Sequence, residues 1–232
     1  MDTGLELRRG EAYHTSRKAL LLTILFSDIV GYTQLYERLP EVVMADIRNF
    51  FVQRTTYHIR ESHGGLIVKR NGDDVFAVFT EPASAILATL NLHRELDTEL
   101  IAGQRLQLRS SIHLGQVAVE QLGGHLDVFG RHINHAARVR GVAKPGEILV
   151  TAAVEDSVRG WIDTTSICFF RRRTPVLKGL GKSMTVFSVE WRRPSSLDTD
   201  SQLPESSQPL THWVNPPLSK QLLYRRKSSS PF

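Results

Sequence analysis

The dipeptide Asn71-Gly72 lies between two short runs, Leu66 to Arg70 and Val75 to Thr80. An Asn-Gly pair flanked by strand-like runs is a strong local signal for a β-hairpin, because both residues tolerate the positive φ of a tight primed turn. A hairpin commits the chain to a sheet, and a sheet needs further strands. Ala19 to Ser27 supplies one: its run from Ala19 to Phe26 is eight residues long, apolar and broken only by Thr23. That is too short to cross a membrane, which takes about 20 apolar residues. Arg8, Arg9, Arg17 and Lys18 precede the run as a signal peptide's basic residues would, but no small-residue cleavage site follows and the run goes straight on to Asp28.

The remaining pattern alternates helices with strands. Thr33 to Arg38 makes a short helix, and Pro40 separates it from a second over Glu41 to His63, with Val43, Ile47, Phe50 and Phe51 along one face. His63-Gly64-Gly65 ends it. A helix over Pro82 to Leu100 starts on a proline at a tolerated position. Leu106 to Leu114 alternates as a strand, and Gly115 is expected to break it from a second strand over Gln116 to Gln121. Gly123-Gly124 forms a loop, Arg131 to Val142 a helix, Lys144 to Glu147 a turn and Ile148 to Thr151 a strand. Two last strands fall near 167–172 and 184–191, with Gly179 and Gly181 between them. This order predicts an α+β fold, with helices on a largely antiparallel sheet and a ferredoxin-like core carrying additional strands and helices.

The core domain is expected over residues 19–192, after an N-terminal arm at 1–18. From Arg193 to Phe232 the composition changes: nine Ser and six Pro in 40 residues predict a flexible tail. The net charge of +5 is not clustered, since that tail carries +2 and the remainder only +3. No nucleic-acid surface is expected from it, nor from the strands, which lack a basic aromatic face. Lys220 to Lys227, with Leu222, Leu223 and Tyr224, is too short a cluster for stable membrane insertion. The single cysteine, Cys168, excludes an internal disulfide and is read as a core residue. A reducing, cytoplasmic location is the expectation.

Four segments carry chemistry. Phe26-Ser-Asp-Ile-Val-Gly-Tyr-Thr33 places the carboxylate of Asp28 at the end of a buried strand, within reach of a cation. The hairpin segment Lys69-Arg-Asn-Gly-Asp-Asp-Val-Phe-Ala-Val-Phe79 adds Asp73 at its tip. Asp127-Val-Phe-Gly-Arg-His-Ile-Asn-His-Ala-Ala-Arg138 puts Asn134 and Arg138 four apart, on one helix face. Leu177-Lys-Gly-Leu-Gly-Lys182 sets a lysine in a Gly-rich loop suited to phosphate. Each alone reads equally well as a cap, a turn, a solvated face or a surface loop.

Together, in this order and spacing across roughly residues 20–190, the four segments resemble the class III nucleotidyl cyclase catalytic domain of adenylate and guanylate cyclases. The resemblance implies two divalent cations, Mg²⁺ or Mn²⁺, held by Asp28 and Asp73 with the Ile29 carbonyl. It implies that Lys69 and Asp127 select the base, Asn134 orients the ribose, Arg138 stabilises the transition state and Lys178 grips the terminal phosphates. A lysine donates and an aspartate accepts, which complements adenine N1 and its amine. ATP is therefore the expected substrate and cyclic AMP, for signalling, the expected product. A guanylate cyclase and a catalytically silent ATP-binding regulatory module are the alternatives. In the resembled family the metal carboxylates and base-selecting residues face each other across a subunit interface. Lys69 and Asp73 share one hairpin, so a single chain with the whole set implies a head-to-tail homodimer with two equivalent sites, and an inactive monomer.

Three positions stand apart from the pattern. His132 and His135 occupy places where the family usually has small or aliphatic residues, and are read as core or surface, with pH sensitivity near neutrality a minor expectation. Arg70, beside Lys69, is expected to meet phosphate or face water.

Overall fold

The computed structural model describes residues 18–122, 125–162, 166–173 and 184–191. The arm, apart from Lys18, the 193–232 tail and the Lys178 loop lie outside the described residues. The first strand, β1 (Lys18–Ile29), leads to helix α1 (Tyr32–Arg38) and α2 (Glu41–Thr55), which continues as a π-helical turn, Thr56–Glu61. The hairpin β2 (Leu66–Asn71) and β3 (Asp74–Phe79) precedes α3 (Pro82–Thr98) and β4 (Leu108–Leu122). Then come β5 (His125–Phe129), α4 (Arg131–Arg140), β6 (Ile148–Thr151), α5 (Ala152–Val158), β7 (Ile167–Arg172) and β8 (Val186–Trp191).

The strands form one sheet in the order β2-β3-β1-β4-β6-β8-β7, with β5 paired to β4 off that path. Its first four strands, all antiparallel, have the ferredoxin-like order. β6 runs parallel to β4 along Ser110 to Ile112, and β8 and β7 extend the sheet in antiparallel fashion. The main core fills one face, where Leu25, Ile29, Val75, Ala77, Phe79 and Ile112 meet the buried sides of α2, α3 and α5. The opposite face carries a smaller cluster of Leu22, Ile24, Phe76, Val78, Val117, Val119 and Val128, on which, among the described residues, α4 packs through Ala136 and Ile133. Half-buried Leu20, Phe26, Leu66, Val68 and Leu126 border this cluster.

Gly115 does not break a strand. It pairs with Leu22 inside an unbroken ladder that runs from Ile29↔Leu108 to Lys18↔Val119. Pairing with the long β1 carries β4 straight through, so one 15-residue strand replaces the expected pair. The glycine answers to a side chain above it: a Cβ there would lie 2.3 Å from the His132 ring. The hairpin partner of β4 is β5, which was not anticipated as a strand, and neither was the seven-residue α5. Both are too short for periodicity to reveal.

The β2–β3 turn is displaced by one residue from the sequence expectation. Asn71 pairs with Asp74, so the loop is Gly72-Asp73, with Gly72 at φ 65° supplying the positive φ required at its first position. A β-bulge between Ile67 and Lys69 changes the alternation of β2: Lys69 opposes Phe76 and Arg70 opposes Val75. Lys69 therefore joins the α4-covered face while Arg70 joins the helical face.

Arg70 is half-buried and turns into the helical face rather than outward to water. Its Nη2 donates to the Thr56 hydroxyl at 2.6 Å, the Thr55 hydroxyl at 3.1 Å and the Val52 carbonyl at 3.3 Å. The π-helical turn departs from the i→i+4 ladder there, and the guanidinium and threonine hydroxyls satisfy the backbone it frees. Arg70→Ala is expected to destabilise the fold by about 1–3 kcal/mol, read as a lower urea midpoint at unchanged slope. Cys168 is half-buried on β7 rather than in the core.

Candidate active site

The site forms where β1 ends. Register places Asp28 opposite Asp74 on β3 and opposite Arg109 on β4. Cross-strand neighbours share a face, so these three side chains converge on the α4-covered side. Arg109 clasps Asp28 in a bidentate fork: Nε donates to Oδ1 at 2.8 Å and Nη2 to Oδ2 at 2.8 Å. This bond, foremost, raises the Arg109 pKa. Asp28 is 6% exposed. Arg140, near the end of α4, lies 2.7 Å from Asp74 Oδ2 and 3.9 Å from Asp28 Oδ2, with its guanidinium 5.7 Å from the Phe26 ring centre.

The Asp73 backbone closes the cluster. Its carbonyl accepts the Ile29 N–H at 3.2 Å, which pins the hairpin tip against the residue after Asp28. Burial, followed by the nearby charges of Asp28 and Asp74, raises the Asp73 carboxyl above its ordinary pKa, opposed by its own backbone N–H and by Arg140. Asp28, Asp73 and Asp74 thus lie near enough for their charges to interact, with Arg109 paired to Asp28 and Arg140 to Asp74. Asp74 Oδ1 is buried and has no hydrogen-bond partner among the described residues. Hard oxygen donors around an unsatisfied buried carboxylate fit a divalent cation such as Mg²⁺ or Mn²⁺.

The other expected site residues are distributed differently. Lys69 is exposed on β2. Asp127 is exposed on β5, where its Oδ1 accepts the Val128 N–H at 2.9 Å. Leu66 and Val68 of β2 share the small cluster with Leu126 and Val128 of β5, so the two strands approach over the same face. Asn134 and Arg138 are exposed one turn apart on α4. Arg140 reaches the carboxylates, and two helical residues rotate the side-chain direction by about 200°. Arg138 therefore leaves the helix on the side away from Asp28. One chain brings the carboxylates together and displays Lys69, Asp127, Asn134 and Arg138 to solvent.

Arg109, Arg140 and Asp74 were missed by sequence reading. The usable signal was positional: Asp74 follows Asp73, and Arg140 follows Arg138 by two residues. Arg109 becomes a neighbour of Asp28 only through the β1–β4 register.

Behind the site, on the helical face, His93 Nε2 lies 2.7 Å from Ser110 Oγ, which donates to Ser27 Oγ at 2.7 Å. His93 keeps an edge on a surface cavity lined also by Arg94, Lys144 and Glu147, but packing around the ring dominates, and burial lowers its pKa to about 4 from 6.5. A histidine depressed in the folded state gives stability that is present above its unfolded pKa and is lost as pH falls toward the folded one. Urea stability is therefore expected to decline as pH drops from 6.5 toward 4, and His93→Gln is expected to make that decline shallower.

A ferredoxin-like sheet extended by further strands, with acidic residues gathered at the β1 end and its neighbouring hairpin, defines a nucleotidyl cyclase domain. Residues 15–190 match the family model of the adenylate and guanylate cyclase catalytic domain, and the chain belongs to this family. It is 30% identical over 151 residues to an adenylate cyclase of Glutamicibacter nicotianae, a match covering 65% of this chain and 36% of the relative. The chain thus spans about a third of that relative's length. Two solved structures share the fold. The adenylyl cyclase CyaB from P. aeruginosa has TM-score 0.68 at 21% identity, covering 77% of this chain and 97% of that one. The guanylate cyclase domain of RhGC from Catenaria anguillulae, in complex with GTP, has TM-score 0.68 at 20% identity, covering 76% of this chain and 100% of that one. Among the described residues no helix is long and apolar enough to cross a membrane.

Proposed function

We propose that this chain is an adenylate cyclase, converting ATP to 3′,5′-cyclic AMP and pyrophosphate as a homodimer with two sites at the subunit interface. The observation that carries the reading is the pinning of the Asp73 hairpin tip to Ile29, beside Asp28. Asp28, Asp73 and the Ile29 carbonyl would hold two divalent cations, which supply charge stabilisation at the α-phosphate and lower the pKa of the ribose 3′-hydroxyl. The 3′-oxygen bonds to the α-phosphorus, the bond to the bridging oxygen breaks, pyrophosphate leaves and the hydroxyl proton passes to solvent.

The chain's own groups define the rest. Lys69 donates to adenine N1 and Asp127 accepts from the amine. Asn134 orients the ribose and Arg138 offsets charge developing in the transition state, a role worth about 3 kcal/mol or more. Lys178 grips the terminal phosphates. The exposure of Lys69, Asp127, Asn134 and Arg138, together with the half-covered apolar face of Leu20, Phe26, Leu66 and Val68, supports a second copy docking there.

The direct experiment is a product assay with ATP or GTP and Mg²⁺ or Mn²⁺, with Asp28→Ala as control. Cyclic AMP that vanishes in the variant is the expected result. Predominant cyclic GMP would favour the guanylate reading, and bound ATP without product at any protein concentration would favour a silent regulatory module. Lys69→Glu replaces a donor by an acceptor opposite adenine and is expected to lower kcat/KM for ATP by about 10–100-fold, measured against GTP in parallel.

A further inference from the structure

A second cluster of ligating side chains lies apart from the carboxylates. His113 on β4 and His132 and His135 on α4 bring one nitrogen each to within 4.8 Å of one another. His113 Nε2 lies 2.8 Å from His132 Nδ1, and His113 Nδ1 lies 2.9 Å from the buried Thr151 hydroxyl. We propose that His113, His132 and His135 form a binding site for one zinc-class transition-metal ion, with a fourth position left to water.

The site is built into the fold on both sides. Helical spacing of three residues puts His132 and His135 on one side of the first turn of α4. β4 presents His113 to them and withdraws a side chain at Gly115, where a Cβ would lie 2.3 Å from the His132 ring. Three imidazoles around zinc at bonds of about 2.0–2.1 Å need nitrogens about 3.3 Å apart, so small rotations of existing rotamers close the shell. Thr151 supplies the outer partner: with the His113 proton on Nδ1, its hydroxyl accepts and the Nε2 lone pair faces the cluster. Burial first, and the neighbouring histidines and arginines after it, hold all three rings below the ordinary histidine pKa, His113 at about 4. Each therefore offers a lone pair at neutral pH.

The donor type sets the kind of ion. Arg131 and Arg138 act on this cluster, and among the described residues no carboxylate belongs to it. A hard cation such as Mg²⁺ gains little from imidazole, whereas zinc, cobalt, nickel and copper bind it well; repulsion by the arginines is common to all of them. Asn134 lies between the two α4 ligands and Arg138 three residues beyond, so an ion here fastens to β4 the turn that displays the expected ribose and transition-state residues. The site does not depend on the cyclase reading.

Cobalt is the probe, because tetrahedral Co²⁺ gives intense visible bands that octahedral Co²⁺ lacks. The full chain is titrated alongside His132→Gln, His135→Ala, Thr151→Val and the double variant Asp28→Asn/Asp73→Asn. His132 and His135 are half-buried, so their variants keep the core intact. The expected result is one tetrahedral Co²⁺ per chain, displaced by Zn²⁺, retained in the aspartate double variant, weakened about 10-fold or more by Thr151→Val and lost in both histidine variants. A wild-type spectrum without tetrahedral bands, bands that persist in the two histidine variants, or bands that disappear in the aspartate variant would each overturn the proposal.

Discussion

Asp28→Asn and Asp73→Asn are each expected to reduce cyclic nucleotide formation by about 1,000-fold or more, the loss of roughly 4 kcal/mol of transition-state stabilisation, yet only the first is expected to lower stability. Asp28 is buried and accepts the Arg109 fork, with Arg140 also nearby. Neutralising it leaves the Arg109 guanidinium beside an amide that cannot compensate it, while Arg140 keeps Asp74. Removing one partner of a buried pair is costly, but the Arg109 side chain is 37% exposed, so water recovers part of the loss and about 1–2 kcal/mol is expected. Asp73 is different. Burial and the neighbouring Asp28 and Asp74 charges work against its ionised form. A raised carboxyl pKa costs stability above the folded pKa, and the cost disappears as pH falls below the unfolded value. Asp73→Asn is therefore expected to leave the thermal midpoint at pH 7 unchanged or slightly higher, while Asp28→Asn lowers it. Calorimetry beside the product assay reads both effects. A destabilised Asp73→Asn would show that the tip carboxylate is structural.

Mixing two inactive variants is expected to restore activity. In the proposed homodimer each site takes Asp28 and Asp73 from one subunit and Lys69, Asp127, Asn134 and Arg138 from the other. Asp73→Asn alone destroys both sites, and so does Arg138→Ala alone. In a mixed dimer one site combines the two defects and the other contains neither. With random exchange half of the dimers are mixed, and one site in two is intact, so about a quarter of wild-type activity should return. Activity of the mixture at the sum of its components would rule out sites shared between subunits. The geometry favours recovery, because α4 turns Arg140 to its own carboxylates and Arg138 away from them.

Much of the site could be read from local sequence. Asp28 lies at the end of a buried strand, Asp73 sits at a turn glycine, and Asn134 and Arg138 are one helical turn apart, all relations that span a few residues. The ferredoxin-like core was legible for the same reason: apolar period and turn chemistry are local, and strand β1, hairpin β2–β3 and helix α3 announce themselves within short windows. Their exact partners were not. Arg109 meets Asp28 because β1 and β4 pair across 81 residues, a register set by burial over the whole sheet.

Tertiary structure also reversed local signals. Gly115 reads as a strand break, but long pairing with β1 keeps the strand running and makes the missing side chain a space for His132. Arg70 and Lys69 are neighbours in sequence and look equally available to a nucleotide. One bulged residue in β2 sends Lys69 to the face of the carboxylates and Arg70 into the π-helical turn. The sequence by itself determined which chemical groups the chain possesses and which secondary elements carry them. Only the folded sheet decided which of those groups face one another, because a strand's face depends on register and bulges, and these are fixed by contacts far apart in the chain.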